Sequence, residues 1–241
     1  MKKLNSLAQS NFEALKKNLY PGRGIIVGMD KSGKYLVQIY WIMGRSENSR
    51  NRVFVIRPGG VLKTAAADPA KVKDPSLIIY TAMDQEGGIY SVSNGDQTVD
   101  ALGVDGLHKS LKYWSYEPDN PNFTPRITAM MWPYQYRDYV EMMILKKSAF
   151  NNFCNKQHYT LSLFPGFGYC MTTYSGDGNP LPPFSGDPYL VPLENNDIDV
   201  VSQQFWDALN EDNRVSLAVK FIDIKTEKFS MAIKNKYSMV E

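Results

Sequence analysis

Cysteine and histidine are scarce in this chain, with two of each in 241 residues: Cys154, Cys170, His108 and His158. None of them shows the close spacing that zinc requires, so a disulfide or metal scaffold is excluded and neither metal nor cofactor is expected. No run of about 18 apolar residues is present to span a bilayer. The N-terminus carries no apolar stretch leading to a cleavage site, so the expected location is the cytoplasm, with no membrane partner. Charge of one sign is lacking too: 27 basic and 25 acidic residues are well mixed and leave a net charge of +2. That balance argues against a nucleic-acid surface and leaves a small anion as the charged ligand to expect. Familiar nucleotide loops are missing as well. Gly176-Asp177-Gly178-Asn179 has neither the lysine of a Walker loop nor the glycine spacing of a dinucleotide fingerprint. There is no Gly-x-Ser-x-Gly elbow, and Met1-Lys2 offers no Ser, Thr or Cys as an N-terminal nucleophile.

What is present is material for a sheet-rich core. The apolar share is 43% and tyrosine occurs 15 times, and a chain of this length suits one large domain over residues 1–241. Leu4, Leu7, Ala8, Phe12, Leu15 and Leu19 recur at helical spacing before Pro21-Gly22, which predicts an amphipathic helix over about 4–19. Residues 24–29 and 34–43 flank the turn Asp30-Lys31-Ser32-Gly33 and read as a hairpin. Further strands are expected at 53–57, 77–82, 88–93, 127–132, 139–146 and 158–163. A Gly/Pro-rich segment, about 164–193, reads as a long loop or functional flap. Asn196 or Asp197 can cap a helix to about Leu209, and a last hairpin spans 214–233. Many strands with few helices give an α+β class with stacked sheets.

Three polar signatures stand out. Arg45, Arg50 and Arg52 lie within eight residues beside Ser46 and Asn51. The planar fork of arginine bonds phosphate in pairs, and in an extended segment Arg50 and Arg52 would share a face. Ser93-Asn94-Gly95 closes a strand in a turn whose N–H groups can cradle an anion or amide, and Gln97-Thr98 can open a helix there. Thr124-Pro125-Arg126 fixes the backbone ahead of a strand and restrains one arginine. Tyr80 and Glu117 are the acid or base candidates.

In this order, Tyr20-Pro21-Gly22-Arg23, Arg45-Ser46 with Asn51-Arg52, Ile79-Tyr80, Val92-Ser93-Asn94-Gly95 with Thr98 and Asp100, and Tyr116-Glu117 with Thr124-Pro125-Arg126-Ile127 resemble the motifs of the archaeal-type IMP cyclohydrolase family. The likeness covers about residues 20–132. Arg45-Ser46 stands further from Asn51-Arg52 than in the family pattern, one residue is inserted between Thr98 and Asp100, and the C-terminal half is longer. The resemblance implies a four-layer αββα sandwich similar to N-terminal-nucleophile hydrolases but without their nucleophile. It also implies dehydrative ring closure of formamido-imidazole-carboxamide ribonucleotide to IMP. Arg45, Ser46, Asn51, Arg52, Ser93, Asn94, Gly95 and Thr98 would then bind the purine ribonucleotide, with Tyr80, Glu117 and Arg126 as catalytic groups. Two other classes stay open: a purine-ribonucleotide-binding protein without catalysis, and an amide hydrolase of the same fold. A homo-oligomer is compatible with the sequence.

Overall fold

A computed structural model describes residues 2–72, 74–75, 78–103, 105–133 and 139–240. Thirteen strands form two antiparallel sheets among the described residues. The first sheet contains β1 (Gly24–Met29), β2 (Tyr35–Met43), β10 (Phe167–Thr172), β11 (Tyr189–Pro192), β12 (Arg214–Asp223) and β13 (Phe229–Asn235), in the order β11-β10-β1-β2-β12-β13. The second runs in sequence order: β3 (Val53–Arg57), β4 (Val61–Ala65), β5 (Thr81–Glu86), β6 (Ile89–Ser93), β7 (Arg126–Met131), β8 (Tyr139–Lys147) and β9 (Cys154–Ser162).

The sheets stack face to face. Ile25, Leu36, Tyr40 and Ile42 from one meet Phe54, Leu62, Val92, Ile127 and Met142 from the other in a common core. Helices α1 (Lys2–Lys17) and α5 (Ile198–Ala208) cover the outer face of the first sheet, where Phe12 meets Phe205 edge to face at 5.3 Å. Two helical turns, α3 (Gln97–Asp100) and α4 (Leu107–Ser110), cover part of the second through Ala101, Leu107 and Leu111. β2 is therefore buried on both faces: Val37, Ile39 and Trp41 lie under the helices while Tyr40 and Ile42 line the interior. A strand covered on both sides reads as a continuous apolar run, as this one does.

Local chemistry explains the boundaries. Asp30 turns β1 into β2 by accepting the Ser32 and Tyr35 N–H groups at 3.0 and 2.7 Å. Asp197 caps α5 by accepting from Asp199 and Val200. The N-terminal helix begins two residues earlier than its apolar spacing predicts, and Leu7 and Leu19 are exposed rather than docked.

Three segments differ from the sequence reading. Residues 164–193 are not one loop: they supply β10 and β11, whose apolar residues are masked in the sequence by flanking Gly and Pro, and the long irregular stretch is confined to 173–188. The strand expected at 77–82 begins at Thr81 and runs on to Glu86, with Leu77 outside the described residues. The arginine-rich segment is not extended, because Glu47–Arg50 forms a helical turn, α2, capped reciprocally by Ser46 and Ser49. No helix among the described residues is long and apolar enough to cross a membrane.

Candidate active site

At one end of the sandwich the chain enters β1, β3 and β7 and leaves β2 and β10. Between these termini lies a cavity of about 310 Å³. Its walls are Arg23, Arg45, Arg52, Glu117, Asp119 and Asn122, the hydroxyls of Ser46, Ser49, Thr124 and Thr173, and the stacked rings of Tyr20 and Tyr174. Gly22 lets the wall close: its φ is +73°, and a Cβ there would sit 2.3 Å from Thr173 Oγ1.

The charges in the cavity are unequally partnered. Arg23 Nη1 donates to both oxygens of Glu117 at 3.1 Å, and both side chains are nearly buried. Burial is the largest single influence and opposes the Arg23 charge, but Glu117 together with Tyr80, Tyr40 and Tyr174 holds the guanidinium well above its usual range. Arg52 is only 5% exposed. Its Nε has no hydrogen-bond partner, and no carboxylate lies within ion-pairing distance among the described residues. Burial and the adjacent Arg23 charge both press its ionisation downward. A desolvated, unpaired guanidinium facing a polar cavity is chemically suited to an anion. Arg45 stands at the rim, 4.9 Å over the Tyr20 ring, with Nη1 donating to Asp177 and, at 2.9 Å, to the Gly178 carbonyl.

Behind the arginines, the hydroxyls of Tyr80 and Tyr40 share a buried hydrogen bond of 2.6 Å. Burial first, and the neighbouring Tyr80 second, raise the Tyr40 phenol well above its usual range. The Tyr80 backbone is clamped by Thr64, whose N–H donates to the Tyr80 carbonyl and whose Oγ1 accepts the Tyr80 N–H.

Of the residues singled out in sequence, Arg45, Ser46, Arg52 and Glu117 line the cavity together; Tyr80 is close enough to Arg23 and Arg52 to act on their charges. The helical turn α2 is what brings Arg45 and Arg52 to one cavity. It sends Arg50 away, to the Gly44 carbonyl at 2.9 Å. Asn51 faces elsewhere, its amide pairing with the Asp68 backbone at 2.7 and 2.8 Å. The Ser93–Thr98 turn is occupied internally. Asn94 accepts the Ile127 N–H at 2.8 Å and donates to the Pro125 carbonyl at 2.9 Å, while the Ser93 and Thr98 hydroxyls bond each other. Arg126 donates to Gln97 at 2.9 Å and stacks over Trp114. The Arg126–Gln97 bond is packed against Gly95, where a Cβ would lie 2.1 Å from Arg126 Nη1 and would push that side chain aside.

The sequence reading missed Arg23, Asp119, Thr173 and Tyr174 as wall residues. Arg23 had a signal, the Tyr20-Pro21-Gly22-Arg23 motif; Thr173 and Tyr174 follow β10 in the segment read as loop. Asp119 holds Thr124 through both carboxylate oxygens, and the Thr124 hydroxyl bonds the Tyr174 hydroxyl at 2.5 Å. Among the described residues, no three His, Cys, Asp or Glu side chains gather to hold a metal ion.

No curated protein matches the chain. The model of the family described as IMP cyclohydrolase-like protein matches residues 20–228, which takes in every wall of the cavity. The chain thus belongs to the IMP cyclohydrolase-like protein family.

Proposed function

We propose that this protein closes the purine ring of IMP from formamido-imidazole-carboxamide ribonucleotide. The observation that carries the reading is Arg52, a buried cation without a counterion beside the Arg23–Glu117 pair, in a chain of this family. In the reaction the carboxamide nitrogen attacks the formyl carbon and loses one proton. The formamido nitrogen gives up its hydrogen as the C=N bond forms, and the formyl oxygen leaves as water.

Amide nitrogen is a weak nucleophile, so alignment of the two arms is the first requirement, worth up to roughly 7–11 kcal/mol in a well-oriented intramolecular reaction. Arg52 and Arg45 hold the 5′-phosphate and fix the ribonucleotide against the Tyr20 and Tyr174 rings. Glu117, kept in place by the two-point bond from Arg23, accepts the carboxamide proton. Tyr80, oriented by Tyr40, supplies a proton to the departing oxygen. Ser93, Asn94, Gly95, Thr98 and Arg126 are positioning residues that hold the start of β7 and the segment bearing Glu117 and Thr124. Ser46 acts through the α2 cap, and Asn51 by anchoring the start of β3.

The test is IMP formation from the formamido ribonucleotide against a protein-free control. Glu117→Gln and Tyr80→Phe should each lower turnover about a hundredfold with IMP affinity kept, the usual scale for a general acid or base. Full activity in both folded variants would remove the proton-transfer roles. Tight IMP binding without turnover would make the protein a ribonucleotide sensor.

A further inference from the structure

The irregular segment 173–188 supplies two partners, Asp177 and the Gly178 carbonyl, that already occupy Arg45 at the anion site. Its stem is pinned: Ser175 N–H bonds the Pro182 carbonyl at 3.0 Å, and Asn18 bonds the Ser175 carbonyl at 3.0 Å. Its tip reaches the cavity at two points. Leu181 lines the wall and donates its N–H to Asn122 at 3.2 Å, and Asp177 pairs with Arg45.

Each carboxylate near the cavity thus has its own partner. Glu117 is held by Arg23 from both oxygens, Asp119 is taken up by Thr124, and Asp177 neutralises Arg45. Among the described residues of the cavity wall, only the Arg52 cation is left to meet a ligand charge. The three contacts differ in depth: the Arg23–Glu117 pair is buried, whereas Arg45 and Asp177 are 36% and 47% exposed. An ion pair that open to solvent is weak and exchanges readily.

We propose that Asp177 is a built-in competitor for the phosphate subsite and sets the charge a ligand must bring. A ligand with a single negative charge is satisfied by Arg52 and leaves the Arg45–Asp177 pair closed. A phosphate monoester dianion carries charge for two guanidiniums and exchanges with Asp177 on Arg45. The released carboxylate has room on its other side, because Asp177 also lines a neighbouring groove of about 690 Å³ whose walls include Lys17 and Asn18. This inference rests on the reading of Arg52 and Arg45 as a phosphate grip, and it is independent of whether ring closure follows.

Calorimetric titration with inorganic phosphate, IMP and inosine tests it on the parent, Asp177→Asn and Asp177→Ala. Both variants should bind phosphate and IMP about three- to fivefold more tightly, the scale of one exposed ion pair, with inosine affinity unchanged. Equal or weaker IMP binding by both variants overturns the competitor role. Equal tightening for inosine overturns it as well, because the effect would then not concern charge. If no protein binds phosphate or IMP, the phosphate grip and the competitor fall together. Tighter binding by the variants in a protein without cyclohydrolase activity would keep the competitor and reject the reaction.

Discussion

Two buried cations, toward opposite ends of the same sandwich, divide structural polarity from functional polarity. Lys220 on β12 is fully buried, yet its ammonium bonds Gln85 and, at 3.2 Å, the Gly60 carbonyl, and it lies 4.4 and 5.0 Å from the Phe229 and Tyr90 rings. Arg52 is also buried and has no such set among the described residues. Burial alone therefore does not mark a site; a buried charge whose bonding capacity is left open toward a cavity does.

The comparison breaks most sharply by removing each charge. Arg52→Met deletes the free guanidinium and about two charge-assisted bonds to phosphate, so IMP affinity should fall by about a thousandfold while stability holds or rises. Calorimetry with a parallel urea titration reads both. An affinity loss under tenfold would take Arg52 out of the site.

Lys220 should show itself in stability instead. Loss of solvent lowers its pKa from 10.5 to about 8, with Asp84 opposing the shift. Between those values the unfolded chain carries a proton that the folded chain has shed, so stability rises with pH across that window. Measured against Lys220→Met, the gain should approach on the order of 3 kcal/mol by its upper end. Urea midpoints that shift in parallel for the two proteins from pH 7 to 10 would contradict this.

The Ser93–Thr98 turn sharpens the division, since its polar groups are satisfied as the Lys220 ammonium is. Asn94→Ala strips partners from the Ile127 N–H and the Pro125 carbonyl and should cost about 2 kcal/mol in urea unfolding. A variant as stable as the parent that has lost IMP binding would move Asn94 into the site.

These cases also show what a sequence can and cannot disclose. Local rules place the β1–β2 hairpin, β3 and the Asp197 cap, because each depends on neighbours within a few residues. The strands β10 and β11 were hidden by flanking glycine and proline, and α2 by arginines that suggested an extended face. Arg45, Ser46, Arg52 and Glu117, which line one cavity, were legible as candidates through motif chemistry. The Arg23–Glu117 pair was not, since its members are 94 residues apart, and nothing in either segment says which cation meets which carboxylate. The openness of Arg52 was equally invisible: it is the absence of a neighbour, which only packing reveals.

That pair also reaches from one sheet to the other, for Arg23 leads into β1 and Glu117 precedes β7. Glu117 is therefore a gauge of the gap between two layers. Each sheet can keep its own ladder of backbone bonds while a small slip between them takes Glu117 out of reach of its guanidinium. Warming or mild denaturant should on this account separate Arg23 from Glu117 while the strands are still intact.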